Sequence, residues 1–221
     1  MEYEFHFEVV YRNFGMLLEG AWLTIKLAFS ATVLGLLVGI LGSLCKTSGI
    51  KTLGWIVSAY VEIIRNTPFL VQIFFIFFGL PSLGISMEAN TAALVALTAN
   101  LGAYATEIVR AGIEAIHKGQ IEAGLSLGLS RLQVFRYVML FPALKTVYPS
   151  LASQFILLLL GSSVVSQISA EELTHLANFL HSRTFRSFEI YFVVLLMYLV
   201  ISTMFRALFH VIYLWAFGRR R

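Results

Sequence analysis

Two short runs of this sequence combine residue types that carry out chemistry in enzymes. Gly124, Ser126 and Gly128 satisfy the G-x-S-x-G pattern of serine hydrolases. Such a serine must lie at a strand-to-helix turn with a histidine and an acid in place, whereas this run lies in a polar, helical segment. The run 42–47, GSLCKT, is too short for a phosphate-binding loop and has Cys45 where glycine is required. We expect neither hydrolysis nor ATP binding from these runs.

Glu172, His175 and His181 have the side-chain types of a metal site. A matching set of carboxylates would have to come from other helices. The alternative is an external loop of ordinary polar residues. All twelve acidic residues are glutamate, which removes every mechanism that needs an aspartate. We therefore expect no catalytic residue and no metal site in this chain.

Other polar side chains interrupt long apolar runs. Asn100, Tyr104 and Glu107 stand at i, i+4 and i+7 and share one helix face. Ionisable groups inside a membrane are costly, which makes them functional candidates. We predict that this face lines a path for a polar solute, with Glu107 as partner of a substrate ammonium; the alternative is an ion pair between Glu107 and Arg110. Small residues for close helix packing share another face: Ala92, Ala96, Ala99 and Ala103.

A second polar group lies in the run 146–168. Gln154, Ser162 and Ser163 bring hydrogen-bonding side chains to membrane depth, and Gly161 can interrupt the helix. A broken helix can offer free backbone groups to a substrate carboxylate. Hydrogen bonds between helices are the alternative role for the serines. We predict that Gln154, Ser162 and Ser163 belong to the same path.

The elements that carry these residues are membrane-spanning helices. Hydrophobic residues make up 58% of the 221 residues and charged residues 13%, against roughly 45–50% and 25% in soluble domains. Asn66, Thr67 and Pro68 suit the start of a helix. The acidic start of the chain lacks the basic region of a signal peptide, so we expect no cleavage. The fold class is an all-α integral membrane protein, one domain over 1–221, with five spans at about 24–45, 65–83, 89–112, 146–168 and 189–215.

Basic residues predict the orientation of these spans. With the N-terminus outside, only Arg12, Arg183 and Arg186 fall on the outer side. Cytoplasmic loops are rich in lysine and arginine, so we predict that the N-terminus is outside and the C-terminus cytoplasmic. The cytoplasmic group is then Lys46, Lys51, Arg65, Arg110, Lys118, Arg131, Arg136, Lys145 and Arg219 to Arg221.

The longest polar stretch, about 113–144, is cytoplasmic in this topology. Its spacing predicts a helix, a turn at Gly128 and a second helix that Ser130 caps. We expect the apolar positions, Leu127 and Leu132 among them, to pack on the bundle and the other side to meet a cytoplasmic partner. The alternative is a solvated connector.

Residues 122–144, EAGLSLGLSRLQVFRYVMLFPAL, resemble the EAA loop of ABC-importer permeases. In that family the loop is the coupling helix, which docks into a groove of the ATP-binding subunit. Gly124 replaces the third alanine of the pattern, and Phe141 precedes Pro142 where proline itself is expected, so we predict a slightly altered helix start. The resemblance assigns ATPase coupling to Glu122, Ala123, Gly124, Gly128, Ser130 and Arg131.

Three further blocks, at 60–81, 102–116 and 162–173, resemble the polar-amino-acid branch of these permeases. Leu160 and Gly161 stand where the branch carries lysine and aspartate or asparagine, so the resemblance does not identify the amino acid. It implies a type I importer permease in a bacterial inner membrane, without its own cofactor and without nucleic acid. The implied partners are two ATP-binding subunits that hold ATP and Mg²⁺, a second permease subunit (identical or homologous), a solute-binding protein, an amino-acid substrate and membrane lipid.

Two rival classes have their own sequence signatures. An ion-coupled secondary transporter would show inverted repeats and paired intramembrane carboxylates, and the sequence shows neither. A membrane scaffold that only recruits a partner would have no polar face inside its helix bundle. The polar face formed by Asn100, Tyr104 and Glu107 argues against this class.

Overall fold

The computed structural model describes residues 4–218, and Arg219 to Arg221 of the basic group lie outside the described residues. Within that range the chain is almost entirely helical and has no strand. The helices are α1 (Glu8–Arg12), α2 (Phe14–Thr47), α3 (Lys51–Arg65), α4 (Phe69–Phe74), α5 (Ala89–Glu114), α6 (Lys118–Ser126), α7 (Arg131–Gln133), α8 (Leu140–Gly161), α9 (Leu173–Thr184) and α10 (Ser187–Phe217).

Four helical stretches are long and apolar enough to cross a bilayer: Phe14–Thr47, Ala89–Glu114, Arg131–Ile168 and Ser187–Phe217. A bent pair, Lys51–Arg65 with Phe69–Leu83, makes a fifth span if it is counted as one. The two halves of that pair meet at 109°. The fold is thus the predicted all-α membrane bundle. Its second span is broken, and its fourth span, Arg131–Ile168, extends back into the polar loop.

Small residues let α2 and α5 pack with their backbones close together. A side chain at Gly35 would lie 2.8 Å from Leu101 Cβ, and one at Gly39 would overlap Ala105. The predicted packing face of α5 is confirmed, since three of its alanines are buried and the fourth is half-buried: Ala92, Ala96, Ala103 and, half-buried, Ala99. Helices without a hydrophobic driving force between them associate through such close contacts.

The two groups of basic residues lie at opposite ends of this bundle. At one end the first residues meet the start of α10, where Arg186 Nη1 donates to Glu4 O at 3.3 Å and His6 N donates to Glu189 Oε1 at 2.8 Å. At the other end α2 and α5 finish, and the polar loop begins after Glu114. The two basic groups are thus separated along the bundle, and the cytoplasmic location of the polar loop stays a prediction.

Candidate functional site

The break between α3 and α4 opens one wall of a cleft. Proline has no N–H, so Pro68 cannot continue the hydrogen bonds of α3, and it takes an extended conformation with φ −65° and ψ 136°. Backbone groups freed inside a membrane are tolerated where they are buried in protein or line a cavity. The chain resumes as a helix at Phe69, with its start turned toward α5 and α8.

The cleft lies between this break, α5 and α8, and its volume is about 270 Å³. Three of the predicted path residues, Asn100, Tyr104 and Gln154, line it together. The structure therefore brings Asn100 and Tyr104 of the third span and Gln154 of the fourth to one place. The remaining lining residues are Thr67, Phe69, Leu97, Leu157, Leu158 and Gly161.

Polar groups around the cleft are oriented by their neighbours. Asn100 Nδ2 donates to Gln72 Oε1 at 3.1 Å. The guanidinium carbon of Arg65 lies 5.4 Å from the centre of the Tyr104 ring, in cation–π range. Tyr60 Oη donates to Ala99 O, which fixes α3 against the middle of α5. The cleft thus has amide groups, a phenol ring and a cation at its side, among apolar walls.

Glu107 does not line this cleft, although the spacing placed it on the same face. Its Oε1 accepts from Lys46 Nζ at 2.7 Å, and its Oε2 accepts from Arg110 Nη2 at 2.7 Å. Arg110 also pairs with Glu114 at 2.6 Å. Both carboxylate oxygens are therefore engaged, and the predicted alternative, a pair with Arg110, is present with Lys46 as a second cation.

The two predicted serines make local hydrogen bonds. Ser162 Oγ donates to Leu159 O at 2.7 Å, and Ser163 Oγ donates to Leu160 O at 2.8 Å. Neither lines the cleft, and Ser162 is fully buried. The α-helix ends at Gly161, where interruption was predicted, and the chain continues as a 3₁₀-helix over Ser162–Ile168. The two serine hydroxyls donate to backbone carbonyls where the α-helix changes to a 3₁₀-helix. Within residues 4–218 they form no hydrogen bond to another helix and do not face the cleft.

The polar loop forms the predicted helix, turn and helix. Gly128 has φ +81°, a left-handed conformation that glycine adopts without a steric penalty. Gly128 N donates to Leu125 O and Leu129 N to Gly124 O, which closes the end of α6. Ser130 Oγ accepts from Gln133 N at 3.4 Å while Gln133 Oε1 accepts from Ser130 N at 2.8 Å, a capping box. The cap predicted at Ser130 is confirmed.

The surface of this loop differs from the prediction. Leu127 and Leu132 are 83% and 75% exposed, so they do not pack on the bundle as expected. Helix α6 packs instead on a π-helical turn, Val134–Met139, which precedes α8: Gly124 is buried, and a Cβ there would meet Val134 at 3.1 Å. The other coupling candidates are on the surface: Glu122, Ala123, Gly128, Ser130 and Arg131.

The cluster near α9 serves a structural purpose. Glu172 Oε1 accepts from the backbone N of His175 at 2.7 Å and so caps α9, and Glu172 Oε2 accepts from Tyr198 Oη at 2.7 Å. His181 Nδ1 lies 3.2 Å from Ser187 Oγ. Within residues 4–218 no group of three histidine, cysteine or acidic side chains lies close enough to hold a metal ion.

This geometry, a helical membrane bundle with a polar cleft and a structured polar loop, agrees with a known family. The family described as "binding-protein-dependent transport system inner membrane component" matches residues 22–214. This chain belongs to that family. It is therefore an inner membrane component of a bacterial transport system. The resemblance of residues 122–144 pointed to the same family.

Two relatives of this permease cover 90% and 69% of its length. The glutamine transport system permease protein GlnP of Escherichia coli (strain K12) is 36% identical over 205 residues, 90% of this chain and 92% of that protein. The arginine transport system permease protein ArtQ of Bacillus subtilis (strain 168) is 39% identical over 153 residues, 69% of this chain and 70% of that protein.

Solved structures show the same fold. The crystal structure of an amino acid ABC transporter with histidines contains a chain that is 37% identical to this permease, with a TM-score of 0.90, covering 96% of this chain and 99% of that one. The MetNI methionine ABC transporter, in an inward-facing conformation, shares the fold at 23% identity, with a TM-score of 0.76 over 93% of this chain and 98% of that one.

Sequence reasoning missed three residues beside the cleft of this permease. Arg65 stacks on Tyr104, Thr67 lines the cleft, and Gln72 holds Asn100. One signal for Gln72 was available, because it is the only polar side chain in the apolar run 69–80. Polar residues inside membrane spans are functional candidates by default.

Proposed function

We propose that this permease forms half of a path through which an ABC importer moves a polar amino acid. The observation that carries the proposal is the cleft at the broken second span, where Asn100, Tyr104 and Gln154 converge. Relatives named for glutamine and arginine transport support the substrate class. An amino acid needs neutral polar groups and charge compensation at membrane depth, and this cleft offers both.

The cleft residues match the parts of an amino acid. Amide side chains at Asn100 and Gln154 both donate and accept hydrogen bonds, so they suit ammonium, amide or carboxylate groups. Arg65 brings a guanidinium to the Tyr104 side of the cleft, and arginine favours carboxylate partners. Ser162, Ser163 and Glu107 act outside the cleft, the serines at the end of α8 and Glu107 in its ion pairs.

Transport is driven through the polar loop. Its exposed Glu122, Ala123 and Arg131, together with the exposed leucines Leu127 and Leu132, form a surface for a partner in the cytoplasm. That partner is the ATP-binding subunit, which holds ATP and Mg²⁺, while this chain supplies no ATPase site. The buried Gly124 and the turn at Gly128 give the surface a fixed shape.

The complete importer has two permease subunits, two ATP-binding subunits and an external solute-binding protein. The N-terminus is outside and the C-terminus cytoplasmic, so that the end with residues 4–12 and α9 receives the binding protein. Closure of the ATP-binding subunits on the two loops switches the path from inward-facing to outward-facing.

Co-purification with the ATP-binding subunit tests the coupling part of this proposal. Glu122→Ala removes an exposed carboxylate of the loop, and Gly128→Pro replaces a residue at φ +81° with one restricted to about −65°. Both variants are expected to weaken partner binding and to reduce ATP-dependent import in liposomes. The matched control is Glu171→Ala, an exposed glutamate beside α9 at the opposite end of the bundle.

The substrate is identified in the same liposomes with radiolabelled L-glutamine, L-arginine and L-histidine. ATP-dependent import of one of these, stimulated by the binding protein, supports the proposal. Import that continues without ATP and without the partner would contradict it in favour of an ion-coupled transporter.

A further inference from the structure

Gln72 is a polar side chain that the proposed path does not itself use. It lies in the first turn of α4, in the apolar run 69–80, and its exposure is 9%. A glutamine side chain has two N–H donors and a carbonyl acceptor, and burying them without partners is costly. In this structure all three find partners, and they connect two parts of the cleft.

The donors of Gln72 repair the break between α3 and α4. Ile64 O would accept from the N–H of residue 68 in a continuous helix, but Pro68 has none. The N–H groups of Val71 and Gln72 both donate to Pro68 O, so Thr67 O has no backbone donor either. Gln72 Nε2 donates to Ile64 O at 2.7 Å and to Thr67 O at 3.0 Å, with Thr67 Oγ1 at 2.9 Å.

These bonds fix which way the amide of Gln72 points. Because Nε2 must face the two carbonyls, Oε1 faces α5, where it accepts from Asn100 Nδ2 at 3.1 Å. Asn100 is then fixed in turn, with its N–H group toward Gln72. Its Oδ1 has no donor among residues 4–218, and Asn100 lines the cleft.

From this chain of contacts we infer that Gln72 is a positioning residue for substrate recognition. It holds the broken helix in shape and orients Asn100 so that the cleft presents a hydrogen-bond acceptor to the N–H groups of the substrate. The inference rests on the proposed function, because it concerns the same cleft. It assigns Asn100 to the ammonium or amide end of the amino acid and leaves Arg65 for the carboxylate.

The test uses the importer in nanodiscs without the binding protein, so that substrate affinity reports on the permease alone. Dissociation constants are measured with radiolabelled L-glutamine, L-arginine and L-histidine for wild type, Gln72→Met and Gln72→Glu. The methionine keeps the volume and removes both functions, and the glutamate keeps the acceptor for Asn100 but not the donors. Gln167→Met is the matched control, since Gln167 is exposed and its side chain makes no hydrogen bond to residues 4–218.

We expect Gln72→Met to weaken substrate binding about tenfold and to lower thermal stability moderately, because Ile64 O and Thr67 O lose their donor. Gln72→Glu is expected to bind weakly at about pH 8 and to recover in part at about pH 6, because a protonated carboxyl group regains one donor. Hydrogen exchange of the amides between 66 and 72 should rise in Gln72→Met. Gln167→Met is expected to keep wild-type affinity.

Unchanged affinity in Gln72→Met would overturn the inference, as would loss of folded complex in both variants, which marks a role in folding only. A pH profile for Gln72→Glu as flat as that for Gln72→Met would also overturn it. Wild type that neither binds nor imports any of the three amino acids would instead refute the proposed function, while hydrogen exchange still reports whether Gln72 holds the break.

Discussion

Glu107 shows how a charged side chain is held inside this bundle. It is 18% exposed, and its two carboxylate oxygens each meet one cation, Lys46 from α2 and Arg110 from α5. Removing one partner of such a group leaves the other charges uncompensated at low dielectric. The ion pairs therefore tie the ends of α2 and α5 together beside the polar loop.

Glu107→Gln tests whether these ion pairs stabilise the fold or serve the substrate. We expect it to reduce stability by about 1.5–3 kcal/mol, the range for hydrogen bonds to charged groups. Apparent melting temperatures from fluorescence-detected size exclusion measure this, and Glu88→Gln, exposed at the other end of α5, is the control. An unchanged melting temperature combined with lost substrate binding would return Glu107 to the transport path.

Glu172 is a buried carboxyl group outside the membrane spans. It is 0% exposed, and burial raises its pKa above the ordinary range of glutamate, although hydrogen bonds from Thr174, Tyr198 and His175 act in the opposite direction. A raised pKa favours the protonated form in the folded protein. Its contribution to stability is full below the pKa of the unfolded chain, about 4.3, and is lost as the pH rises through the folded pKa.

Glu172→Gln removes this titration and keeps an acceptor for the cap of α9. We expect the melting temperature of the variant relative to wild type to increase as the pH rises from about 4.5 to about 7.5, because only wild type then carries a buried charge. Glu171→Gln, at the exposed neighbouring position, should show no such trend. Parallel pH curves for Glu172→Gln and wild type would contradict the raised pKa.

Helix α2 depends on glycine where it crosses α5. A methyl group at Gly39 would overlap Ala105, whereas Gly15 of the same helix has open space around it. We expect Gly39→Ala to destabilise the protein by about 1–3 kcal/mol through overpacking. Gly15→Ala should be neutral or stabilising, by up to about 1 kcal/mol, because alanine favours helix. Thermal unfolding of the two variants in one detergent decides this, and equal melting temperatures would count against the close packing of α2 on α5.

At the scale of elements, the sequence correctly predicted the features that depend on residues close together in the chain. Apolar runs predicted the spans, Ser130 its cap, and Gly161 the end of α8, because each depends on residues close in the chain. It did not predict that residues 51–65 form a separate helix set at 109° to the next one. That arrangement depends on distant contacts such as the hydrogen bond from Tyr60 to Ala99.

For the candidate site too, local spacing was predicted correctly and contacts between distant residues were not. The i, i+4 spacing correctly placed Asn100 and Tyr104 at one cleft, because both lie on one helix. Glu107 has a partner in Lys46, 61 positions away along the chain, which spacing within α5 cannot show. Leu127 and Leu132 were expected against the bundle and are exposed, because an apolar pattern does not say which protein covers it.

In the proposed importer, the whole molecule is one half of a path. Its polar cleft lies between the broken span, α5 and α8, and the structured loop lies at one end of the same helices. Helix α8 carries Gln154 and is continuous with α7 of the loop through the π-helical turn, so we expect movement of the loop to reach the cleft along this stretch. This continuity gives a physical route from the cytoplasmic surface to the substrate.

ATP-dependent import by Gln154→Leu in liposomes tests the central claim, that substrate passes through this cleft. Wild type, Gln154→Leu and the exposed control Gln167→Leu are compared with the same ATP-binding subunit and binding protein. The account predicts import reduced about tenfold or more in Gln154→Leu, with basal ATPase activity retained and Gln167→Leu within about twofold of wild type. Wild-type import by Gln154→Leu would contradict the account and place the path elsewhere in the bundle.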